Sequence, residues 1–181
     1  MKKVILGLLV AMSPVLSMAA PMAPANQWVA GVSYMNLADE SNGLDISVDG
    51  IAGSLGYQFK SGENFYLVPE LRFGTGVGSD SFSVSGINVE VELDSFTALS
   101  VRVQFEFDNG LYLYVAPSYA NAEFTASASF MGQSATSTED SWEFGVGGGV
   151  GYRFSQLTSV ELSYEQFDGV DVLSVGFKFH F

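Results

Sequence analysis

Strict alternation of apolar and polar residues constrains the fold of this chain more than any other feature. In the segment 99–107 every odd position is apolar and every even position is polar. Successive side chains of a β-strand point to opposite faces, whereas a helix would repeat apolar residues at spacings of three and four. Eight segments after residue 26 alternate in this way, so the sequence predicts an all-β protein with eight antiparallel strands.

The beginning of the chain has the composition of a secretory signal peptide. Two lysines precede a run of nine apolar or glycine residues, and small residues follow. That run is about half of the roughly 20 residues that a membrane-spanning helix needs. We therefore expect residues 1–19 to be a signal peptide cleaved after Ala19, with Ala25 as the alternative. A short N-terminal segment, 20–25, then precedes one domain over 26–181.

Composition excludes several kinds of chemistry. The chain has no cysteine and one histidine, so disulfides, zinc–thiolate sites and multi-histidine metal sites are excluded. Without residues 1–19 it has five basic and twenty acidic residues, a net charge of −15, which argues against a nucleic-acid partner. His180 is the only histidine base, and no serine–acid arrangement accompanies it. We expect no cofactor and no metal, and we predict that the protein is not an enzyme.

The two faces of the strands differ in a way that indicates a membrane barrel. The polar faces carry few charges among Gly, Ser and Ala, while the apolar faces carry none within the strands. A charged residue facing the bilayer midplane costs roughly 2–4 kcal/mol. Closure of the sheet into a barrel gives every strand a hydrogen-bonded neighbour on both sides, as lipid requires. The pattern predicts an eight-stranded antiparallel up-and-down transmembrane β-barrel. A soluble periplasmic lipocalin-like binding barrel is an alternative, and in 111–116 both faces are apolar, so the side assignment there stays open.

The lengths of the predicted connections alternate. The short ones are 60–64, 108–110 and 155–159, and the long ones are 36–50, 74–95 and 120–141. Short periplasmic turns and long external loops are typical of outer-membrane barrels. The sequence therefore predicts that both termini lie at the periplasmic end.

The last strand ends with alternating aromatic residues, Phe177, Phe179 and Phe181. Together with the signal peptide and the eight strands, this ending resembles small outer-membrane barrels of the OmpA/OmpX type over 26–181. The resemblance implies a place in the cell outer membrane, contact with its lipid and lipopolysaccharide, and assembly by the barrel-assembly machinery, which would read the three phenylalanines. It is consistent with a monomer that has a structural or surface-interaction (adhesion-like) role.

Turn signals at the hairpin tips predict the register of the strands. Asn42-Gly43 and Asp168-Gly169 are typical of two-residue hairpin turns, and Ser85-Gly86 is a weaker signal of the same kind. The register set by the last of these places apolar residues opposite polar ones at the base of its hairpin. We therefore expect one residue to be taken up by a bulge near 78–80.

Charged residues on the polar faces predict ion pairs inside the barrel. With the bulge, Glu70 is predicted opposite Arg102, and the turn at 155–159 places Arg153 opposite Glu161. Eight strands leave an interior just wide enough for side chains, so we interpret these residues as a structural network. A narrow ion-conducting pore is the alternative.

The fourth predicted strand is long enough to leave the membrane. Its 21 residues, 87–107, span roughly 70 Å at about 3.3 Å per residue, against an apolar band of about 25 Å. Phe82, Val84, Ile87 and Val89 are predicted to form an outward apolar stripe above the membrane. We interpret this stripe as a docking site for a surface protein. Packing against lipopolysaccharide sugars or the neighbouring loop 120–141 is the alternative.

Overall fold

A computed structural model describes residues 26–39, 46–84, 87–130 and 133–181. The predicted signal peptide and the hairpin tips Asn42-Gly43 and Ser85-Gly86 lie outside the described residues. The strands are β1 (Asn26–Asp39), β2 (Ile46–Lys60), β3 (Phe65–Gly76), β4 (Ser79–Val84), β5 (Ile87–Glu106), β6 (Leu111–Phe130), β7 (Gln133–Arg153), β8 (Thr158–Gln166) and β9 (Val170–His180).

The strands form one closed antiparallel ring. Their order is β3-β2-β1-β9-β8-β7-β6-β5-β4, and β3 also pairs with β5. Because β3 and β4 are the two parts of one interrupted strand, the ring contains eight strands, as the sequence predicts. The hydrogen bonds between β3 and β5 close the ring, which removes the open edges that a sheet would otherwise present to lipid.

Tight turns connect the strands at the predicted periplasmic end. They occupy residues 61–64, 107–110 and 154–157, close to the predicted connections. Gly110 has a φ of 82°, a left-handed conformation that glycine adopts without strain. At the opposite end, Gly169 has a φ of 85° in the predicted Asp168-Gly169 turn. The alternation of turns therefore confirms the up-and-down topology.

Apolar side chains form a belt around the outside of the ring. The belt includes Trp28, Leu55, Phe73, Leu99, Val115, Phe144, Leu162 and Phe177, all of which are exposed. Its periplasmic rim is aromatic, with Phe59, Phe65, Phe107, Phe154 and Phe181 also exposed. A water-soluble barrel would bury such a face, so the lipocalin-like alternative is wrong. Among the described residues, none belongs to a helix with the length and apolarity that a membrane crossing requires.

Two hairpins have the predicted register. Trp28 lies opposite Tyr57 between β1 and β2, and Leu162 lies opposite Val175 between β8 and β9. In each hairpin the apolar residues of the two strands share the outer face. The turn chemistry and the apolar pattern therefore specify the same pairing, which is why these registers were predictable.

Two other registers were predicted wrongly by two residues. Glu70 lies opposite Ser100 and not opposite Arg102, although the strand is interrupted between Gly76 and Ser79, next to the predicted bulge. The extra residue lies in β3–β4 and not in β5. The residues of β5 that lie opposite β3 therefore have lower numbers than a continuous register would give, whereas the predicted register gave them higher numbers. Arg153 lies opposite Ser159 because the backbone N–H of Phe154 bonds the carbonyl of Thr158 at 3.2 Å, which makes this turn tighter than predicted.

A second irregularity, between Leu93 and Ser95, reverses the outer half of β5. The pairing of β5 with β6 shifts there by one residue, so side chains above it change faces. Leu93 and Val91 are buried inside, and Val89 packs partly against the same interior cluster. The prediction of an outward stripe is therefore wrong at Val89. The side chains of Phe82, Val84 and Ile87 lie outside the described part of the structure.

The interior consists of a polar layer and an apolar layer. Charged and polar side chains fill the periplasmic and central parts of the lumen. Toward the external end an apolar cluster takes their place, formed by Met35, Leu37, Val48, Ala52, Val91, Leu93, Phe96, Ala98, Ala120, Phe167 and Val172. The sequence did not predict this cluster, because the reversal of β5 carries part of it inward.

Candidate functional site

Within the described residues, the charged layer of the lumen holds four basic side chains and the four acidic side chains that bind them. The basic ones are Arg72, Arg102, Arg153 and Lys178, and the acidic ones that bind them are Glu70, Glu106, Glu161 and Glu165. All project from inner faces of the strands and are buried or half-buried. The four positive and four negative charges cancel, so the network adds no net charge to the lumen.

Arg102 lies at the centre of this network. Its guanidinium binds Glu161 and also Glu70, the latter at 3.3 Å. Lys178 binds Glu70 as well, and its Nζ lies 3.9 Å from a carboxylate oxygen of Glu161. The ring of Tyr114 lies under the guanidinium, with 3.7 Å between the Arg102 Cζ and the ring centroid. Each buried charge at the centre therefore has at least one opposite charge in contact, as burial requires.

Arg72 and Glu165 form the external end of the network. The two Nη atoms of Arg72 bind the two carboxylate oxygens of Glu165, the geometry in which a guanidinium binds a carboxylate most strongly. Ser118 donates to Glu165 at 2.8 Å. The guanidinium lies 5.7 Å from the ring centroid of Phe96. Because Phe96 belongs to the apolar cluster, this pair marks the boundary between the two layers.

Arg153 and Glu106 form the periplasmic end. The Arg153 Nε donates to Glu106 at 3.0 Å, and the Arg153 side chain is completely buried. Within the described residues, neither Nη atom of Arg153 has a hydrogen-bond partner, nor does Oε2 of Glu106. This pair is therefore less completely satisfied than the central one.

The structure brings together three of the four predicted lumen residues. Glu70 and Arg102 form an ion pair although they are not opposite each other, because long side chains reach diagonally across a strand pair. Glu161 binds Arg102 instead of Arg153. Arg153 lies one layer lower and binds Glu106 instead. Residue type and face were predictable, but the partners depended on the two registers that were wrong.

Glycines of β7 make room for two tyrosines of β6. A Cβ on Gly151 would lie 2.1 Å from Cζ of Tyr112, and one on Gly149 would lie 2.6 Å from Cζ of Tyr114. Both tyrosines are buried, which settles the side assignment of 111–116. The glycine-rich run is therefore a packing feature of the barrel wall. Tyr112 also donates to Glu161 at 2.8 Å, which joins it to the network.

A serine–histidine contact near the periplasmic end was not predicted. The Oγ of Ser159 lies 2.9 Å from Nε2 of His180, and Gln27, an uncharged residue, lies 3.3 Å from the other ring nitrogen. A nucleophilic serine needs an accessible hydroxyl and an orienting acid on the far side of the histidine. Ser159 has no exposed surface, and an amide occupies the place of the acid. This arrangement therefore lacks two elements of a catalytic triad.

The remaining space in the charged layer is small. A cavity of about 40 Å³ is lined by residues of the network, including Glu70, Arg102 and Lys178. This volume holds about three water molecules at roughly 10–15 Å³ each. The charged side chains therefore fill most of the cross-section of the lumen.

The last strand pairs with the first, so the N-terminal and C-terminal strands meet at one seam of the barrel. The backbone N–H of Phe181 donates to the carbonyl of Trp28 at 2.9 Å, and the N–H of Trp28 donates back at 2.8 Å. Phe177, Phe179 and Phe181 all point outward and are exposed. Their side chains are thus available on the outer surface, as their predicted role in assembly requires.

Comparison with known proteins agrees with this architecture. The chain matches the family model described as "Outer membrane protein beta-barrel domain" over residues 7–181. Its fold is similar to that of Ail, the attachment invasion locus protein of Yersinia pestis, solved in complex with the heparin analogue sucrose octasulfate. The identity is 16%, the TM-score is 0.59, and the match covers 87% of this chain and 100% of that chain.

Two further solved structures share the fold. Neisserial surface protein A (NspA) is 14% identical, with a TM-score of 0.52 over 89% of this chain and 100% of that chain. The N-terminal barrel domain of Pseudomonas aeruginosa OprF is 15% identical, with a TM-score of 0.51 over 86% and 99%. A comparison with curated proteins gives no match. Because the family model covers almost the whole chain, the protein belongs to the outer-membrane β-barrel family.

Proposed function

We propose that this outer-membrane barrel acts at the cell surface as a monomeric interaction protein of the adhesion type, without catalysis. The observation that carries the proposal is an unpaired strand edge. Within the described residues, β7 pairs with β8 only from Val146 to Arg153, whereas β6 pairs with β7 along its whole length. Among the described residues, the segment 133–145 therefore has no strand partner on this side and presents one free edge above the ring.

The length of the strands supports a position of this edge outside the bilayer. β6 has 20 residues and β7 has 21. At about 3.3 Å per residue and a tilt of about 40°, such strands rise roughly 50 Å along the membrane normal. The apolar band accounts for about 25 Å of this height. About half of each strand therefore stands in the external medium; we call this part the extension.

An exposed edge is a site at which another protein can add a strand. Its unpaired N–H and C=O groups offer main-chain hydrogen bonds, and neighbouring side chains supply specificity. Residues 135–142 are exposed, and Trp142 stacks on Tyr119 with 5.1 Å between ring centroids at the base of the edge. The edge thus combines free backbone groups with an aromatic anchor, the residue type enriched at protein interfaces.

The charge of the extension favours a basic partner. After the signal peptide, the basic residues are Lys60 and the four lumen residues, so no basic residue lies in the external half. Glu90, Glu92 and Asp94 are exposed on the outside of β5. Such a surface repels polyanions and attracts basic protein segments. The heparin analogue bound by Ail is a polyanion, and the acidic extension gives no support for such a ligand here.

The lumen supports a structural role and not conduction. Its charges are paired, and the space between them holds only a few water molecules. We expect planar bilayers containing the folded protein to show no discrete conductance steps at ±100 mV in 1 M KCl. Regular steps that depend on the folded barrel, and vanish when it is heat-unfolded before insertion, would contradict a structural lumen and support the narrow pore.

The last strand also supports assembly by the barrel-assembly machinery. Its three outward phenylalanines end the chain beside β1, at the seam that closes the barrel. A machinery that adds the last strand to the first would meet Phe177, Phe179 and Phe181 on the lipid-facing side.

A truncation that preserves register tests the surface role. Residues 125–138 are replaced by Asn-Gly, so that Phe124 and Glu139, which already lie opposite each other, flank a two-residue turn. We expect bacteria that display the full-length chain to adhere to epithelial cells more than vector controls do. The truncated barrel should lose this gain, because the free edge of β7 loses residues 133–138.

The control for this experiment is a variant of the periplasmic turn. Glu63→Gln leaves the extension unchanged, and it should adhere like the wild type. Both variants should still shift in mobility on SDS gels when boiled, which shows that the barrel is folded. Undiminished adhesion of the truncated, folded barrel would contradict the proposal, and so would a wild type no more adhesive than vector cells.

A further inference from the structure

Two adjoining cavities lie inside the extension, above the charged lumen. Their volumes are about 280 Å³ and about 290 Å³. They share five lining residues, Leu37, Asp39, Phe124, Glu139 and Val170. These residues come from β1, β6, β7 and β9, so the cavities form one cleft between the free part of β7 and the opposite wall of the barrel. We call it the external cleft.

The floor of the external cleft is apolar. Phe96, Phe167 and Val172 belong to the buried apolar cluster and line the first cavity, while Val48 and Val91 line the second. Apolar lining with a few polar groups is the usual character of a small-molecule site. The combined volume reaches the range of about 300–1,000 Å³ that such sites occupy.

The rim of the external cleft carries only acidic charges. Asp39 and Glu139 line both cavities, and Asp140, Glu143 and Asp168 line the first. Among the residues that the structure describes, no lysine or arginine lines either cavity. The nearest lumen cation, Arg72, lies beyond Phe96 and is bound to both oxygens of Glu165. The formally charged residues that line the cleft, within the described part of the chain, are therefore all acidic.

From this combination we propose that the external cleft binds a small organic cation with an apolar body, such as an aryl or alkyl ammonium compound. The apolar part would contact the floor, and the cationic group would lie among the rim carboxylates. This inference goes beyond the surface role proposed above. It concerns the inside of the extension and requires no macromolecular partner at the β7 edge.

Charge and shape complementarity select this occupant over others. A fatty acid or an aromatic acid would satisfy the floor but would place its carboxylate among five acidic side chains. Lipopolysaccharide phosphates meet the same repulsion. A bare divalent ion would satisfy the rim but would leave the apolar floor in contact with water. Only a ligand with both a cationic and an apolar part matches the two surfaces at once.

The test uses the chain without the predicted signal peptide, residues 1–19, folded in phosphatidylcholine nanodiscs. The probe is benzyltrimethylammonium. Isothermal titration calorimetry is expected to show saturable binding that weakens as NaCl is raised. Glu139→Gln should weaken binding about threefold, and Glu139→Gln with Asp168→Asn about tenfold, as expected for partly exposed charge pairs. Asp168→Asn keeps a residue suited to the turn before Gly169.

Two control variants are used. One distinguishes binding in the cleft from a general effect of surface charge, and the other distinguishes the contribution of the floor from that of the rim. Glu92→Gln removes the same charge from the outside of β5 and should leave binding unchanged. Val170→Thr keeps the shape of the floor but adds a hydroxyl, and it should weaken binding about threefold without altering the salt dependence. Each variant is first checked for the heat-dependent gel shift of a folded barrel.

Three outcomes would overturn the inference. Binding of phenylacetate, an aromatic anion, as tight as that of the cationic probe would show that charge plays no part. A loss of binding in Glu92→Gln as large as that in Glu139→Gln would reduce the effect to surface charge. Binding of Ca²⁺ that blocks the probe while Val170→Thr has no effect would identify a metal site instead. Neither adhesion nor its loss bears on these results, so the two proposals fail separately.

Discussion

The variant Arg102→Met is expected to lower the free energy of unfolding by about 3–5 kcal/mol, the typical cost of removing one partner of a buried ion pair. Arg102 binds Glu161 and Glu70 at the centre of the lumen and is almost completely buried. Its loss leaves three positive charges against four negative ones inside the barrel. Urea unfolding in phosphatidylcholine vesicles, followed by tryptophan fluorescence, measures the change.

Two further variants assign this loss to an unpaired charge. Adding Glu161→Gln to Arg102→Met restores the balance of charges, so the double variant should recover a substantial part of the lost stability. Lys60→Met removes a positive charge from the exposed end of β2 and should change stability by less than about 0.5 kcal/mol. A double variant no more stable than Arg102→Met alone would show that lost packing, and not lost pairing, destabilises the barrel.

The variant Gly151→Ala is expected to destabilise the barrel by about 1–3 kcal/mol through overpacking. The added Cβ would lie 2.1 Å from Cζ of Tyr112. That ring cannot move without cost, because its hydroxyl donates to Glu161 and lies 3.0 Å from Ser159. The same urea titration measures the loss.

A matched glycine on the outer face is the control for this substitution. A Cβ on Gly53 would have no neighbour closer than 4.0 Å, so Gly53→Ala should be within about 0.5 kcal/mol of the wild type. In a Tyr112→Ala background the cost of Gly151→Ala should largely disappear, since the ring that it strikes is gone. An unchanged cost in that background would mean that the backbone of β7, and not the ring, limits this position.

The parts of the fold that followed from sequence are those in which two independent signals agree. The hairpin at Asp168-Gly169 has a turn signal and two apolar faces that coincide only in one register. The inward position of Glu70, Arg102, Arg153 and Glu161 followed from alternation together with charge, because a charged residue that faces lipid costs several kcal/mol.

The wrong details share one physical cause. Pairing partners depend on how many residues a turn or bulge takes up, and the side-chain pattern of a single strand does not record this number. The turn after Arg153 is tighter than predicted, which moved the partner of this residue from Glu161 to Ser159. The contact between Ser159 and His180 was missed for the same reason, because the predicted register placed Ser159 in the turn and not opposite Arg153.

The irregularity between Leu93 and Ser95 has a consequence for how such a surface can change. Acidic residues face outward above it and apolar residues face inward, because one residue is taken up there. Loss of the codon for Asp94 would remove that extra residue and leave Leu93 opposite Phe124 and Ser95 opposite Glu123 in one continuous register. Val91 and Leu93 would then stay inside, and Glu90 and Glu92 would stay outside. The acidic coat of the extension is therefore tolerant of a deletion at this one position.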